Sequence, residues 1–175
     1  MRYYLRLRIP GGWYFFTVVV SERKPILCTS RATAALREAF LRVKKRYPFK
    51  MEAIVVLPDH IHCIWKLPSH DDNFSTRWQL IKRYFSDQLR TGSQANQTSK
   101  VWQPRFWEHV LRDEEDWRRH MDYIHYNPVK HGYVKRPSDW PNSSFHRCVK
   151  LGFYTENWGS EATFHSQKWL DLNLE

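Results

Sequence analysis

The chain contains no Cys-x-x-Cys, and its three cysteines, Cys28, Cys63 and Cys148, are far apart and odd in number. That excludes a disulfide framework and a structural zinc knuckle and leaves reduced, structural thiols. No apolar stretch approaches the roughly 20 residues needed to span a bilayer. The amino terminus, Arg2-Tyr-Tyr-Leu-Arg-Leu-Arg8, also lacks the apolar core of a signal peptide. A cytoplasmic protein with no membrane partner is expected. There is no internal repeat, and no His-Glu-x-x-His of the kind that holds a hydrolytic zinc. Acidic residues are also in short supply, with 18 Asp plus Glu against 28 Lys plus Arg and a net charge of +10. Such a surplus points to a polyanionic partner.

Aromatic residues are abundant: 9 Trp, 9 Tyr and 10 Phe in 175 residues. Some of these rings must fill a core, and others are available to stack on bases. The length favours one folded unit, large enough to need no staples. Its bounds are taken as 1–150, followed by a tail over 151–175.

Alternation of Tyr3, Leu5, Leu7 and Ile9 with Arg2, Arg6 and Arg8 predicts a short strand with a basic outer face, after which Gly11-Gly12 reads as a turn. The aromatic and β-branched run 13–20 predicts a strand. Helical spacing over 30–47, with Leu36, Phe40 and Val43 on one face, ends at Pro48. Residues 51–57 and 60–67 predict two further strands, antiparallel and separated by Pro58-Asp59. A basic amphipathic helix is expected over 75–90. Trp78, Ile81, Phe85 and Leu89 mark its buried side, with Arg77, Lys82, Arg83 and Arg90 around the rest. The polar stretch 91–100 reads as a mobile loop, and 101–111 as containing a strand. Asp113 is a suitable N-cap for a helix whose buried stripe is Trp117, Met121 and Ile124, with Pro128 as its stop. The last 40 residues read as irregular. The fold class is α+β: a sandwich of antiparallel sheet with helices mainly on one face.

The segment 57–67 carries His60 and His62 at a spacing of two. On a strand, that places both imidazoles on one face, opposite Ile61, Cys63, Trp65 and Leu67. Two imidazoles aimed at one point begin a metal site, although surface or hydrogen-bonded histidines share this pattern. Further on, Tyr123 and Asn127 stand at i and i+4 and share a helix face. Asn127 then offers a third, oxygen ligand and Tyr123 a nucleophile. The alternatives are an ordinary half-buried tyrosine, a capping asparagine before proline, and Tyr126 as a rival nucleophile. Combined, the two segments predict a metal-dependent enzyme that cuts a DNA phosphodiester with tyrosine.

Several motifs extend the reading. Trp13-Tyr-Phe-Phe-Thr-Val18 after Gly11-Gly12, Val55-Val-Leu-Pro-Asp-His-Ile-His-Cys-Ile-Trp65 and Trp102-Gln-Pro-Arg-Phe-Trp-Glu-His109 occur in that order. Asp122-Tyr-Ile-His-Tyr-Asn-Pro-Val-Lys-His-Gly132 and Trp140-Pro-Asn-Ser-Ser-Phe-His-Arg147 follow. Over about residues 2–150 the chain resembles the REP-associated tyrosine transposases, relatives of the single-tyrosine HUH transposases of insertion sequences. The resemblance implies a ferredoxin-like fold, Mg²⁺ or Mn²⁺ as cofactor, and His60, His62 and Asn127 as its ligands. It also implies Tyr123 as nucleophile. The implied substrate is single-stranded DNA carrying a REP hairpin, cleaved and rejoined through a 5′-phosphotyrosine, with the protein acting as a monomer or homodimer. Arg2, Arg6, Arg8, Lys82 and Arg83 are the expected DNA contacts. The competing readings are a catalytically silent hairpin-binding protein and a different metal hydrolase, zinc-dependent for example, in which Tyr123 is structural.

Overall fold

The strand Trp13–Val19 (β1) shows how the layers are built. Tyr14, Phe16 and Val18 enter one core and Phe15 enters another, because successive side chains leave a strand on opposite faces. A strand apolar on both faces belongs inside a sheet covered on both sides. β1 indeed pairs antiparallel with His60–Lys66 (β3) and with Trp107–Leu111 (β4). Lys50–Val56 (β2) completes a four-stranded sheet of order β2-β3-β1-β4. These coordinates are a computed structural model, which describes residues 6–90 and 100–160. Within them Ser30–Arg46 (α1) and Phe74–Leu89 (α2) give the succession β-α-β-β-α-β, the ferredoxin-like pattern. The α+β expectation is borne out.

α1 and α2 lie against each other and share one core with Tyr14, Phe16, Ile61, Cys63 and Trp65. Ala32, Ala35, Leu36, Ala39 and Val43 form the buried stripe of α1. Trp65 stacks on Trp78 at 4.6 Å and 16° and on Phe49 at 4.2 Å. Contacts of this kind add about 0.5–1.5 kcal/mol each beyond the area they bury. Arg77 was expected among the exposed basic residues of α2 but is 1% exposed. Its guanidinium donates to the carbonyls of Tyr47, Pro48 and Asn73 at 3.2, 2.8 and 2.8 Å and to Asp71 at 2.7 Å. It therefore ties the end of α1 to the start of α2.

Glu114–Lys130 (α3) covers the opposite face, over Phe15, Val55, Leu57 and Ile64. Asp113 caps it as expected, accepting from the Asp116 amide at 2.8 Å. Pro128 does not stop it. The proline removes one donor near the end, and the helix runs on to Lys130. It closes there because Gly132, at φ 72°, adopts the left-handed conformation. Gly132 and Tyr133 then donate to Val129 and Pro128 at 2.9 Å each, a Schellman closure.

The region after α3 is more ordered than an irregular tail. Residues 142–144 run along the outer edge of β2, with Val56 N–H to Asn142 O and Ser144 N–H to Ile54 O both 2.8 Å. Phe145–Lys150 (α4) follows. Among the described residues, 6–12 contain no strand, contrary to the expected basic strand. Arg2, most of the polar loop and the end of the tail lie outside the described residues.

Candidate active site

His60 and His62 leave β3 on the α3 side, and both are buried, at 2% and 0% exposure. Their rings lie 4.8 Å apart at 81°. In each ring Nδ1 is engaged. Asp59 Oδ1 is 2.6 Å from His60 Nδ1, and Thr17 Oγ1 is 2.9 Å from His62 Nδ1. Thr17 reaches His62 because the β1–β3 register places the two opposite each other. A carboxylate on Nδ1 requires the proton there and leaves Nε2 as a bare lone pair, the arrangement that orients metal-binding imidazoles. The Nε2 atoms of both histidines are buried without a hydrogen-bond partner.

Burial lowers the pKa of His60, with Asp59 opposing it. Burial lowers that of His62 well below the usual imidazole value, and the charges of His60, His131 and Lys130 add to the effect. Both rings are therefore neutral near pH 7, as metal ligation requires. Burial raises the Asp59 carboxyl, but its bonds to His60 and to Arg23 (3.1 Å) outweigh this and its pKa falls.

Tyr123 projects from α3 toward the same centre, its ring 5.2 Å from that of His62 at 71°. Lys130 Nζ lies 5.1 Å from the Tyr123 ring centroid, and the His131 ring is 5.6 Å from that of His60. Asn127 stands one turn beyond Tyr123 on the same buried helix face. Because the helix continues past Pro128, Asn127 is no terminal cap. It is fully buried, and neither Oδ1 nor Nδ2 has a hydrogen-bond partner. Leaving such a group unsatisfied costs about 1–3 kcal/mol, and His60, His62 and Asn127 are thus residues that could hold a cation. Tyr126 faces another way, against Trp158 at 6.4 Å.

Of the expected DNA contacts among the described residues, Arg6, Arg8 and Lys82 gather around Ser75 and the Phe106 ring. Arg6 lies 4.2 Å over the Phe106 ring, with Glu108 at 3.4 Å and Ser75 Oγ at 3.0 Å. Arg8 reaches the same Ser75 Oγ at 3.2 Å and Asp72 at 3.4 Å. Lys82 joins them, 5.5 Å from the Phe106 ring and donating to Gln103 O at 2.9 Å. Burial, helped by Arg6, lowers its pKa to about 8. Arg83 stands apart, beside Tyr84 and Arg42. Sequence reading missed Asp59, Thr17 and Lys130. Asp59 could have been suspected from its place next to His60, whereas Thr17 depends on a register that only the sheet reveals.

The model of the family described as "Transposase IS200 like" matches residues 10–126, which span both β3 and Tyr123. A REP-associated tyrosine transposase of Escherichia coli (strain K12) is 48% identical over 163 residues, covering 93% of this chain and 94% of that protein. The chain belongs to the REP-associated branch of the IS200-like tyrosine transposases. The solved structure of a REP-associated tyrosine transposase bound to a REP hairpin agrees, with a TM-score of 0.83 and 47% identity. It covers 95% of this chain and 96% of that one. Membership makes the chain a transposase-type enzyme, and the fold of the branch is the ferredoxin-like sandwich seen here. Among the described residues no helix is long and apolar enough to cross a membrane.

Proposed function

We propose that the chain is a metal-dependent endonuclease and strand transferase for single-stranded DNA at REP-type hairpins, with Tyr123 as nucleophile. The observation that carries this is the pair of neutral, Nδ1-anchored histidines with bare Nε2 atoms, of which His62 lies 5.2 Å from the Tyr123 ring. The hairpin substrate is supported by the 47%-identical structure, which holds one. His60, His62 and Asn127 fit a divalent cation, with two imidazole nitrogens and an amide oxygen, and Mg²⁺ or Mn²⁺ is the proposed ion. When bound, such an ion polarises the scissile phosphate and stabilises charge on the leaving oxygen.

The residues of the chain supply the rest. α3 presents the phenol, and the Asp59 and Thr17 bonds hold the imidazoles still. A phenol of pKa about 10 needs activation, and the Lys130 ammonium near its ring favours the phenolate. The Tyr123 oxygen bonds to phosphorus, the P–O3′ bond breaks, and the proton lost by the phenol is balanced by one gained at O3′. The products are a 5′-phosphotyrosine and a free 3′-hydroxyl. The bond energy is retained, so the hydroxyl can reverse the step without ATP.

Incubating the protein with labelled single-stranded hairpin DNA and Mg²⁺ or Mn²⁺, followed by a denaturing gel, tests this. A covalent adduct is expected that is absent in Tyr123→Phe and lost in His60→Ala or His62→Ala. Cleavage surviving Tyr123→Phe refutes the tyrosine assignment. Binding without any cleavage leaves a hairpin-binding protein instead.

A further inference from the structure

A second cluster of ligating groups lies on the α3 side of the sheet, at its β4 edge. His109 comes from β4, and Asp116 and His120 come from the first turns of α3; one potential donor atom from each lies within 4.8 Å of the others. Asp116 Oδ2 is 3.0 Å from His109 Nε2, and Asp116 Oδ1 is 3.2 Å from His120 Nδ1. Zinc bonds of about 2.0–2.2 Å at tetrahedral angles set neighbouring donors roughly 3.3–3.6 Å apart, a few tenths of an ångström wider than the two His–Asp contacts, each of which goes to a different Asp116 oxygen. Asp116 and His120 are buried, while the His109 side chain is 30% exposed and gives access from the sheet edge. The ring of Phe15 separates this cluster from the first centre. Phe15 lies 4.8 Å from His120 on one side and 5.5 Å from His62 on the other.

We propose that His109, Asp116 and His120 form a second metal site, of the two-imidazole, one-carboxylate class that takes Zn²⁺ or Co²⁺, and that it pins the amino-terminal half of α3 to β4. Each imidazole binds as a neutral ring and keeps its proton on the other nitrogen, so occupancy shifts a tautomer and releases no net proton. Three present contacts give way. His120 Nδ1 leaves the Asp116 carbonyl, now 2.8 Å away, the hydrogen bond between His109 Nε2 and Asp116 Oδ2 at 3.0 Å is lost, and Arg112 Nε leaves Asp116 Oδ2, at 3.2 Å. The Arg112 side chain is 70% exposed and turns into solvent.

Titration of the full chain with Co²⁺, followed by visible d–d absorption and calorimetric stoichiometry, tests the site. One equivalent is expected to vanish in His109→Ala and to persist when His60 and His62 are both replaced by alanine. His109 is chosen because a partly exposed edge position tolerates truncation; the near-isosteric Asp116→Asn repeats the question should that variant misfold. Zn²⁺ at 100 times its dissociation constant should raise the melting temperature of the wild type by roughly 5 °C more than that of Asp116→Asn. Unchanged stoichiometry and spectrum in both His109→Ala and Asp116→Asn would overturn the site. Because the variants leave His60, His62 and Tyr123 intact, that outcome does not touch the DNA-cleaving reading.

Discussion

His125 occupies a fully buried position on α3, with Nε2 2.8 Å from Ser144 Oγ and Nδ1 3.2 Å from the Tyr154 hydroxyl. Burial, with the Arg147 charge adding to it, lowers its pKa to about 3. An unfolded histidine titrates near 6.5, so below that pH the unfolded chain binds a proton that the folded chain refuses. The stability His125 contributes is thus present above pH 6.5 and declines as pH falls toward about 3, by about 1.4 kcal/mol per pH unit. Denaturant titrations across that window should show a slope shallower by one proton in His125→Gln; an unaltered slope refutes the assignment. Asp59 is the other instructive residue. Asp59→Ala removes the acceptor that fixes the His60 tautomer, and metal affinity measured by calorimetry should fall about 10–100-fold. The histidine spacing was visible in the sequence, but the carboxylate and hydroxyl behind it were not. A residue that orients a ligand has no spacing rule of its own.

At the scale of elements, helices and strands were legible wherever periodicity was strong. The apolar run of β1, the histidine alternation in β3 and the Asp113 cap follow from side-chain direction alone. Two errors share a cause. Arg77 looked like surface charge and Pro128 like a stop, because partner carbonyls at Tyr47 and Pro48, and closure at Gly132, are supplied by distant or later residues. Arg77→Ala should cost about 3 kcal/mol in chemical denaturation, since it leaves buried carbonyls bare as well as Asp71. A loss below 1 kcal/mol would mean that water replaces the guanidinium. The three-residue cluster of His109, Asp116 and His120 was also illegible, for it needs the pairing of β1 with β4 before α3 can meet that edge.

For the whole molecule, the excess of 28 basic over 18 acidic residues is the broadest functional signal. For the proposed hairpin substrate, counterion release should make affinity fall with salt, by a log–log slope of roughly 0.7–0.9 per phosphate contact. Arg8→Ala should reduce that slope by about one contact; a slope that does not change places Arg8 off the DNA path.

The segment 142–144 has a consequence for association. A sheet border with bare amides invites a second chain to extend it. Here one border is already occupied: Val56 and Ile54 exchange bonds with Asn142 and Ser144, and Arg147 donates to the Met51 carbonyl at 3.1 Å. The chain is its own neighbour on that side. Two copies cannot join their sheets strand to strand along Ile54–Val56 without first unzipping this seam.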